Sequence, residues 1–316
     1  MRTRDFGGRQ VSVLALGSAD FGGKIPAELG FDLMDAWAGI GGNFIDTARV
    51  YGDFDARECG GSERVIGRWL SRRRREDFFL STKGGHPDLD RMDVGRLSRG
   101  EILDDMRRSL DALRTDWVDI YWLHRDDLSR PVEDIMDTLN ELLAAGMTRR
   151  IGVSNWTPAR IREANACAAA RGLRPLDANQ PRWSLARQMT LEDPTLVEAD
   201  GETYRMHLET GMPLVCFSSQ AKGFFTKLDE LGPEGLPEKA KRRFYHPENL
   251  AVYERLRALR AQTGHSVGAL ALAWLTSQPF PTFPLCGASR VEQVLALDEA
   301  ADTVLTPEQR DGLKRC

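Results

Sequence analysis

The feature that most limits the fold of this chain is a regular alternation of short β-type runs with amphipathic stretches. Several of the runs are apolar almost throughout, as parallel strands buried on both faces should be. The eight runs are 11–17, 43–48, 78–84, 117–124, 149–155, 175–180, 213–219 and 281–287. The alternation favours an α/β fold, a single-domain (β/α)8 TIM barrel over residues 1–316, with a doubly wound open sheet as the alternative.

The stretches between the runs carry helix signals. Leu29, Leu33 and Trp37 recur every four residues, which places them on one helical face. Ser98 and Glu101 have the spacing of a capping box at the start of a helix. These signals support strand–helix units.

Three segments exceed simple loops. Residues 1–10 are expected to form a hairpin before the first strand. Residues 184–212 and 221–247 are polar and contain glycine or proline, so they are expected to lie over one mouth of the barrel.

Composition excludes several function classes. A net charge of −4 and a pI near 5.8 give no electrostatic footprint for nucleic acid. The five cysteines are scattered without a CxxC pair, which fits a reducing, cytoplasmic setting. The amino terminus lacks the apolar core of a signal peptide, and no apolar run approaches the roughly 20 residues of a membrane span. We therefore expect a cytoplasmic protein without membrane or nucleic-acid partners.

Four chemically complementary residues follow three successive runs. Asp46 ends the second run with Tyr51 in the loop after it, Lys83 ends the third, and His124 ends the fourth. Each residue alone is more often structural than catalytic. Together they meet at the carboxyl-terminal rim of a barrel, where barrel active sites lie.

The chemistry of the four suits carbonyl reduction. A tyrosine phenol has a pKa of about 10 and holds its proton at neutral pH, and a nearby ammonium lowers that pKa and eases proton donation. Lys83 supplies the ammonium, Asp46 pairs with it, and His124 orients the carbonyl oxygen. None of these groups attacks carbon, so a cofactor must supply a hydride.

Competing enzyme classes fit less well. The glycine-rich stretch at residues 39–44 has Phe44 where the last glycine of GxGxxG belongs, and it precedes a strand. The histidines form no HExxH or HxH pattern, and there is no GxSxG elbow, so neither a metal site nor a serine hydrolase is expected.

Six stretches in order along nearly the whole chain resemble the aldo-keto reductase family. They read GGNFIDTARVYGD, GGSERVIGRWL, FFLSTKGG, DWVDIYWLHRDD, AAGMTRRIGVSNW and GASRVEQV. The resemblance implies a (β/α)8 barrel, a nicotinamide cofactor at the strand carboxyl ends and reversible carbonyl reduction. It also implies that Asp46, Tyr51, Lys83 and His124 form the catalytic tetrad, with Tyr51 as proton donor.

The resemblance also assigns residues to the nicotinamide and the diphosphate. Ser154, Asn155 and Gln180 match the residues that hydrogen-bond the carboxamide, and Phe217 matches an aromatic that stacks on the ring. The remaining matches near this end of the cofactor are Gly17, Ser18, Asp46, Ser218, Gln220 and Lys222. The loop at 218–223 departs from the family's usual Ser-Pro-Leu.

At the adenosine end, residues 286–294 are expected to open the last helix, after Gly287. Ser289 and Arg290 at its amino terminus would hold a 2′-phosphate, which favours NADP(H), with NAD(H) as the alternative. Gln293 matches a residue that contacts adenosine. Ala296 and Leu297 replace the Glu-Asn often found in the family, so adenine contacts there are expected to differ.

Three functional questions stay open at this stage. Some relatives of the family act mainly as regulatory or redox-sensing subunits that bind the cofactor. The four tetrad side chains can also catalyse the reverse reaction, the oxidation of a sugar or polyol. The partner is expected to be a small carbonyl or alcohol, and the sequence leaves the oligomeric state open. The loop after Tyr51 adds charged residues, and with other rim residues it suggests a hydroxylated, sugar-like carbonyl. The rim residues in that hypothesis are Asp53, Asp55, Arg57, Glu58, Arg125, Asp126, Trp156, Arg182 and Trp183.

Overall fold

The computed structural model of the protein describes residues 1–52, 60–189, 193–199 and 201–314. The chain begins with an antiparallel hairpin of β1 (Thr3–Asp5) and β2 (Gln10–Ser12). The predicted first strand over 11–17 is therefore divided, because its first residues pair with β1 and only Ala15–Gly17 enters the barrel as β3. The Ser12 hydroxyl donates to the Leu14 carbonyl at 2.8 Å, which turns the chain between the two strands.

Eight parallel strands form a closed barrel, which confirms the predicted (β/α)8 architecture and excludes the open sheet. The last strand, Thr282–Cys286 (β10), closes the barrel by pairing with both β3 and Leu214–Cys216 (β9). After β3 the barrel strands are β4 (Phe44–Asp46), β5 (Phe79–Gly84), β6 (Ile120–Leu123), β7 (Ile151–Ser154), β8 (Ala178–Gln180), β9 (Leu214–Cys216) and β10 (Thr282–Cys286).

Helices surround the barrel and follow its strands. They are α1 (Ala27–Gly39), α2 (Gly61–Leu70), α3 (Arg99–Leu113), α4 (Val132–Ala144), α5 (Pro158–Arg171), α6 (Gly201–Thr210), α7 (Phe224–Gly235), α8 (Glu238–Phe244), α9 (Pro247–Thr263), α10 (Val267–Thr276), α11 (Val291–Leu295), α12 (Leu297–Asp302) and α13 (Pro307–Gly312). The capping box predicted from Ser98 and Glu101 is present at the start of α3. Leu33 and Trp37 on α1 are fully buried against the barrel, as their spacing predicts.

The hairpin seals the amino-terminal end of the barrel with an aromatic cluster. Phe6 lies between the barrel strands, with its ring centroid 4.9 Å from that of Phe79 and 5.0 Å from that of Phe283. Phe44 packs edge-on against the same rings. With this end filled by side chains, the carboxyl-terminal rim is the end of the barrel that carries the large cavity described below.

No helix in the described ranges is long and apolar enough to cross a bilayer. Residues 53–59, which include Asp53, Asp55, Arg57 and Glu58 of the substrate hypothesis, lie outside the described residues.

Candidate active site

The sequence-predicted site residues lie where the barrel strands end. Those that end a strand, or in the case of Lys83 occupy its penultimate position, are Gly17, Asp46, Lys83, Ser154 and Gln180. Those that directly follow a strand are Ser18, His124, Asn155, Phe217 and Gly287. Because all eight strands run parallel, these positions share one rim of the barrel.

A fully buried ion pair lies at the centre of this rim. The Lys83 ammonium donates to Asp46 Oδ2 at 2.5 Å and to the Thr47 carbonyl at 2.7 Å, and both charged side chains are 1% exposed. Asp46 Oδ1 accepts from the Ser81 hydroxyl at 2.6 Å and from the Gln180 amide at 3.1 Å. Burial lowers the pKa of Lys83, but Asp46 and Tyr51 more than offset this, and the pKa is raised above its ordinary value. Lys83 is therefore charged at neutral pH.

Tyr51 packs directly on this pair. The Lys83 ammonium lies 4.7 Å from the centre of the Tyr51 ring, and the two side chains share a hydrogen bond. Burial raises the pKa of Tyr51, and the nearby Lys83 lowers it. Burial is the larger effect, so the pKa is raised overall. Lys83 thus lowers the pKa of Tyr51, as the sequence predicts, but burial more than offsets this effect. The sequence does not reveal how completely the phenol is desolvated.

His124 completes the group as a neutral imidazole. Its ring lies 5.6 Å from the Tyr51 ring in an edge-on arrangement. Burial, reinforced by His86, Lys83 and Arg125, holds the pKa of His124 well below its ordinary value. Its Nδ1 atom is buried and has no hydrogen-bond partner among the described residues. The proton of the neutral ring is therefore better placed on Nε2, where a ligand can accept it.

The rim opens into a cavity of about 1130 Å³. Its wall includes Tyr51 and His124 of the predicted tetrad, while Lys83 lies behind it, buried. The wall also includes every residue that the sequence predicts to contact a cofactor: Gly17, Ser18, Asp46, Ser154, Asn155, Gln180, Phe217, Ser218, Gln220, Lys222, Gly287, Ser289, Arg290 and Gln293. The structure thus brings the predicted residues from both ends of the chain to one continuous cavity.

The polar side chains near the tetrad are already fixed by internal hydrogen bonds. Asn155 has a left-handed backbone (φ 61°), and its amide nitrogen donates to the His124 carbonyl and to the Ser154 hydroxyl, each at 3.1 Å. Ser154 in turn donates to the Gln180 carbonyl at 2.8 Å. These bonds hold the three predicted carboxamide partners in one fixed cluster beside the histidine.

The loop after β9 has an unusual backbone. Ser218, Ala221 and Lys222 all have positive φ (56°, 48° and 58°), a conformation that side chains other than glycine rarely adopt. The Lys227 ammonium donates to the Lys222 carbonyl at 2.8 Å across the same turn. The result is a tight turn that carries two cations at the cavity wall.

At the far end of the cavity, one sequence prediction is wrong. Residues 286–294 do not open the last helix, because α11 has only five residues and α12 and α13 follow it. The Gln293 side chain accepts hydrogen bonds from the Ser289 backbone nitrogen at 2.9 Å and from its hydroxyl at 3.3 Å. Arg290 is exposed at the cavity wall, where its guanidinium can contact an anion.

The wall nearest the tetrad differs from the predicted substrate mouth. Of the described residues in that hypothesis, only Arg125 lines the cavity. Trp156 and Trp183 are buried, 1% and 5% exposed, in the core outside the cavity wall. The predicted aromatic floor is therefore absent from the cavity wall as far as the described residues show.

Among the polar residues that line the cavity and that the sequence interpretation missed are His86 and Asp193. The position of His86, three residues after the strand-end lysine, was the available signal. Asp193 lies in a long loop without such a signal.

This closed barrel, with an acid, a phenol, an ammonium and an imidazole on the carboxyl-terminal rim, defines a (β/α)8-barrel enzyme. The model of the aldo/keto reductase family matches residues 13–316. The chain belongs to the aldo/keto reductase family and is an oxidoreductase. Members of this family use nicotinamide cofactors and act on small carbonyl compounds.

Similar proteins carry names that refer to several different functions. The chain is 29% identical to an aryl-alcohol dehydrogenase of Pestalotiopsis microspora, over 97% of this chain and 79% of the relative. It is 29% identical to norsolorinic acid reductase A of Aspergillus parasiticus, over 96% and 76%. It is 31% identical to a probable voltage-gated potassium channel subunit beta of Oryza sativa subsp. japonica, over 97% and 93%.

Among solved structures, a thermostable aldo-keto reductase superposes with a TM-score of 0.74 at 24% identity, over 99% of this chain and 98% of the other. At this identity the likeness supports the fold alone.

Proposed function

We propose that the protein catalyses the NADP(H)-dependent reduction of an aldehyde or ketone to an alcohol, with Tyr51 as proton donor. The observation that carries the proposal is the unbroken contact from Asp46 through Lys83 to Tyr51, with His124 beside the phenol on the wall of one cavity. An acid, an ammonium and a phenol in series form a proton-donating unit, and the imidazole adds a hydrogen-bond donor for the oxygen that receives the proton.

The cavity residues fit an extended nicotinamide dinucleotide. Ser154, Asn155 and Gln180 offer neutral hydrogen-bonding groups beside the tetrad, which suit a carboxamide, and Phe217 offers an aromatic face. The turn carrying Lys222 offers cations suited to the diphosphate. The exposed Arg290 at the far end of the cavity is suited to a 2′-phosphate, which is why we favour NADP(H) over NAD(H). When bound, the nicotinamide would supply the hydride that the protein side chains lack.

Each of the four tetrad side chains has a distinct role in the chemistry at the substrate oxygen. The Nε2–H of His124 orients the carbonyl by donating a hydrogen bond to its oxygen. As negative charge develops on that oxygen, the Tyr51 hydroxyl transfers its proton to it. The Lys83 ammonium stabilises the phenolate that is left, and Asp46 keeps the ammonium charged and in place. In the oxidative direction the same phenolate acts as the base.

A second candidate function is a cofactor-binding regulatory subunit with little turnover, and the similarity to a rice protein named as a probable channel subunit favours it. Both functions require the cavity, but only the reductase requires the proton-donating unit. The continuous Asp46–Lys83–Tyr51 contact therefore supports the enzyme more strongly.

The two functions are separated by a screen of the purified protein with NADPH or NADH and a panel of aldehydes and ketones. We expect carbonyl-dependent consumption of NADPH at a higher kcat/KM than of NADH. Cofactor binding measured in parallel by quenching of protein fluorescence completes the comparison. Tight NADPH binding without turnover of any carbonyl would refute the reductase and support the subunit.

A further inference from the structure

We infer that the Arg125–Asp193 ion pair, with His86 beside it, forms a hydroxyl-binding subsite, and that the preferred substrate carries a hydroxyl group close to its carbonyl. The inference rests on the proposed function, because the subsite is defined by its distance from the tetrad. Most of the described residues in the substrate hypothesis drawn from the sequence lie away from the cavity, whereas the residues of this subsite line it.

The three residues lie directly beside the reacting groups. Arg125 follows His124 in the chain, and its Nη1 donates to the His124 carbonyl at 3.0 Å. The His86 ring lies edge-on to the His124 ring, with 4.8 Å between the centroids. All of these side chains line the same cavity as Tyr51. A carbonyl held between Tyr51 and His124 therefore has its neighbouring carbon atoms within reach of Arg125 and His86.

The ion pair is held in a fixed geometry. Arg125 Nη2 donates to Asp193 Oδ2 at 3.2 Å, and Arg125 Nε donates to the Thr195 hydroxyl at 3.0 Å. Asp193 Oδ1 accepts from the Thr195 nitrogen at 2.9 Å and from its hydroxyl at 2.6 Å. These bonds use three of the five guanidinium N–H groups, and the other two have no partner among the described residues. Donors on Arg125 and an acceptor on Asp193 are thus presented together.

A side-by-side donor and acceptor match a hydroxyl group better than other groups. A hydroxyl donates one hydrogen bond and accepts others, so it satisfies both members of the pair at once. A carboxylate is attracted by Arg125 but repelled by the Asp193 carboxylate only 3.2 Å from the guanidinium. An apolar group displaces water from two charged side chains without replacing its hydrogen bonds, which is unfavourable.

His86 adds an acceptor to this set. Its Nδ1 is 2.7 Å from the Pro87 carbonyl, a contact in which Nδ1 donates because a carbonyl has no proton to give. In the neutral ring Nε2 is then an acceptor. Burial, together with the charge of Arg125, lowers the pKa of His86, so the ring is neutral at pH 7. The subsite therefore offers one cationic donor and two acceptors.

The test compares carbonyl substrates that differ in one respect. Glyceraldehyde and propanal share a three-carbon chain, and only glyceraldehyde carries hydroxyl groups; succinic semialdehyde and butanal differ by a carboxylate. In the wild type we expect kcat/KM for glyceraldehyde to exceed that for propanal by about 10- to 100-fold, the size of hydrogen bonds to charged groups. Arg125→Met and Asp193→Asn are expected to remove most of this ratio. The ratio, and not the absolute rate, is the readout, because Arg125 also lowers the pKa of His124 and of Tyr51, so its loss changes propanal reduction as well.

A matched control separates a substrate contact from loop anchoring. Arg160 and Asp126 form a similar pair at 3.4 Å on the same rim, with side chains 11% and 13% exposed, but neither lines the cavity. Arg160→Met should leave the glyceraldehyde-to-propanal ratio unchanged. If it lowers the ratio as much as Arg125→Met does, the effect is structural and the inference is wrong.

The remaining outcomes of the substrate comparison also test the inference. Equal kcat/KM for glyceraldehyde and propanal, or a larger gain from the carboxylate of succinic semialdehyde, overturns the subsite but leaves the reductase intact. Absence of all turnover overturns the proposed function instead. In that case saturation-transfer NMR of glycerol against 1-propanol, on wild type and Asp193→Asn, still tests the subsite. Binding of glycerol that is weakened by Asp193→Asn supports it, and binding that is unchanged refutes it.

Discussion

The buried Asp46–Lys83 pair leads us to predict how substitutions in it change both the free energy of unfolding and carbonyl turnover. Asp46→Asn removes the carboxylate that faces the ammonium at 2.5 Å, in a place where both side chains are 1% exposed. Among the described residues, the Lys83 charge would then be compensated by the Thr47 carbonyl, by Tyr51 and by an uncharged amide oxygen at position 46, without any carboxylate. Removal of one partner of a buried pair typically costs about 3–5 kcal/mol, and we expect a loss of this size in the free energy of unfolding.

The companion variants form a double-mutant cycle. Lys83→Met should also destabilise, although less, because Asp46 keeps its bonds from Ser81 and Gln180. In the double variant no uncompensated charge stays buried, so we expect much of the loss to be regained and a coupling energy of at least about 2 kcal/mol. Urea unfolding of the four proteins, followed by circular dichroism, measures these values. Additive losses, or a loss below about 1 kcal/mol for Asp46→Asn, would refute the reasoning.

The pH of the measurement follows from the pKa of Lys83. Because this pKa is raised in the folded protein, the associated stability is fully present below the ordinary value of 10.5 and is lost as pH rises through the folded-state pKa. The cycle measured at pH 7–8 therefore reports the complete interaction. Lys83→Met and the double variant should also reduce carbonyl turnover by at least about 100-fold, since no ammonium then stabilises the Tyr51 phenolate.

Three further predictions concern other parts of the molecule. Burial lowers the pKa of His207 to about 4, so its contribution to the free energy of unfolding is fully present above pH 6.5 and falls by on the order of 3 kcal/mol as the pH drops towards 4. The pH dependence of unfolding of His207→Gln should lack this loss at acid pH. A variant at the half-exposed His265 should keep it. Gly67→Ala places a methyl group in steric overlap with the Ala112 backbone oxygen of α3 and should lower the melting temperature by several degrees. Gly100→Ala, whose methyl group would meet no heavy atom within 4 Å outside its own stretch of helix, should change stability by less than about 1 kcal/mol. Arg290→Ala should weaken NADPH binding about tenfold with little effect on NADH, and an equal loss for both cofactors in fluorescence titrations would remove Arg290 from 2′-phosphate recognition.

The strands of the barrel could be predicted from the sequence because parallel strands that are buried on both faces consist of short apolar runs. Such runs can be recognised in the amino-acid sequence. The position of the tetrad follows from the same pattern, since Asp46, Lys83 and His124 each lie at or directly after a strand end. The divided first run was missed because residues 11–17 are apolar except for Ser12 and form one continuous run in the sequence. The pairing of Val11 with Arg4 and of Ala15 with Leu285 assigns its two halves to different sheets.

Properties that depend on the full environment of a side chain were not accessible from the sequence. The pKa of Tyr51 depends on how completely the phenol is desolvated, and spacing along the chain carries no such information. Tryptophans are typical of binding pockets, but Trp156 and Trp183 are buried in the core. Asp193 reaches Arg125 only because a long loop folds back over the rim, a contact between residues 68 positions apart.

The central claim, that Tyr51 donates the proton to the substrate oxygen, is tested most directly by Tyr51→Phe. The substitution removes one hydroxyl and keeps the ring on the Lys83 ammonium. Steady-state kinetics with NADPH and the best carbonyl substrate should show kcat/KM reduced by at least about 100-fold, while the Kd for NADPH stays within about a factor of two of the wild-type value. Carbonyl reduction at the wild-type rate in Tyr51→Phe would contradict the account.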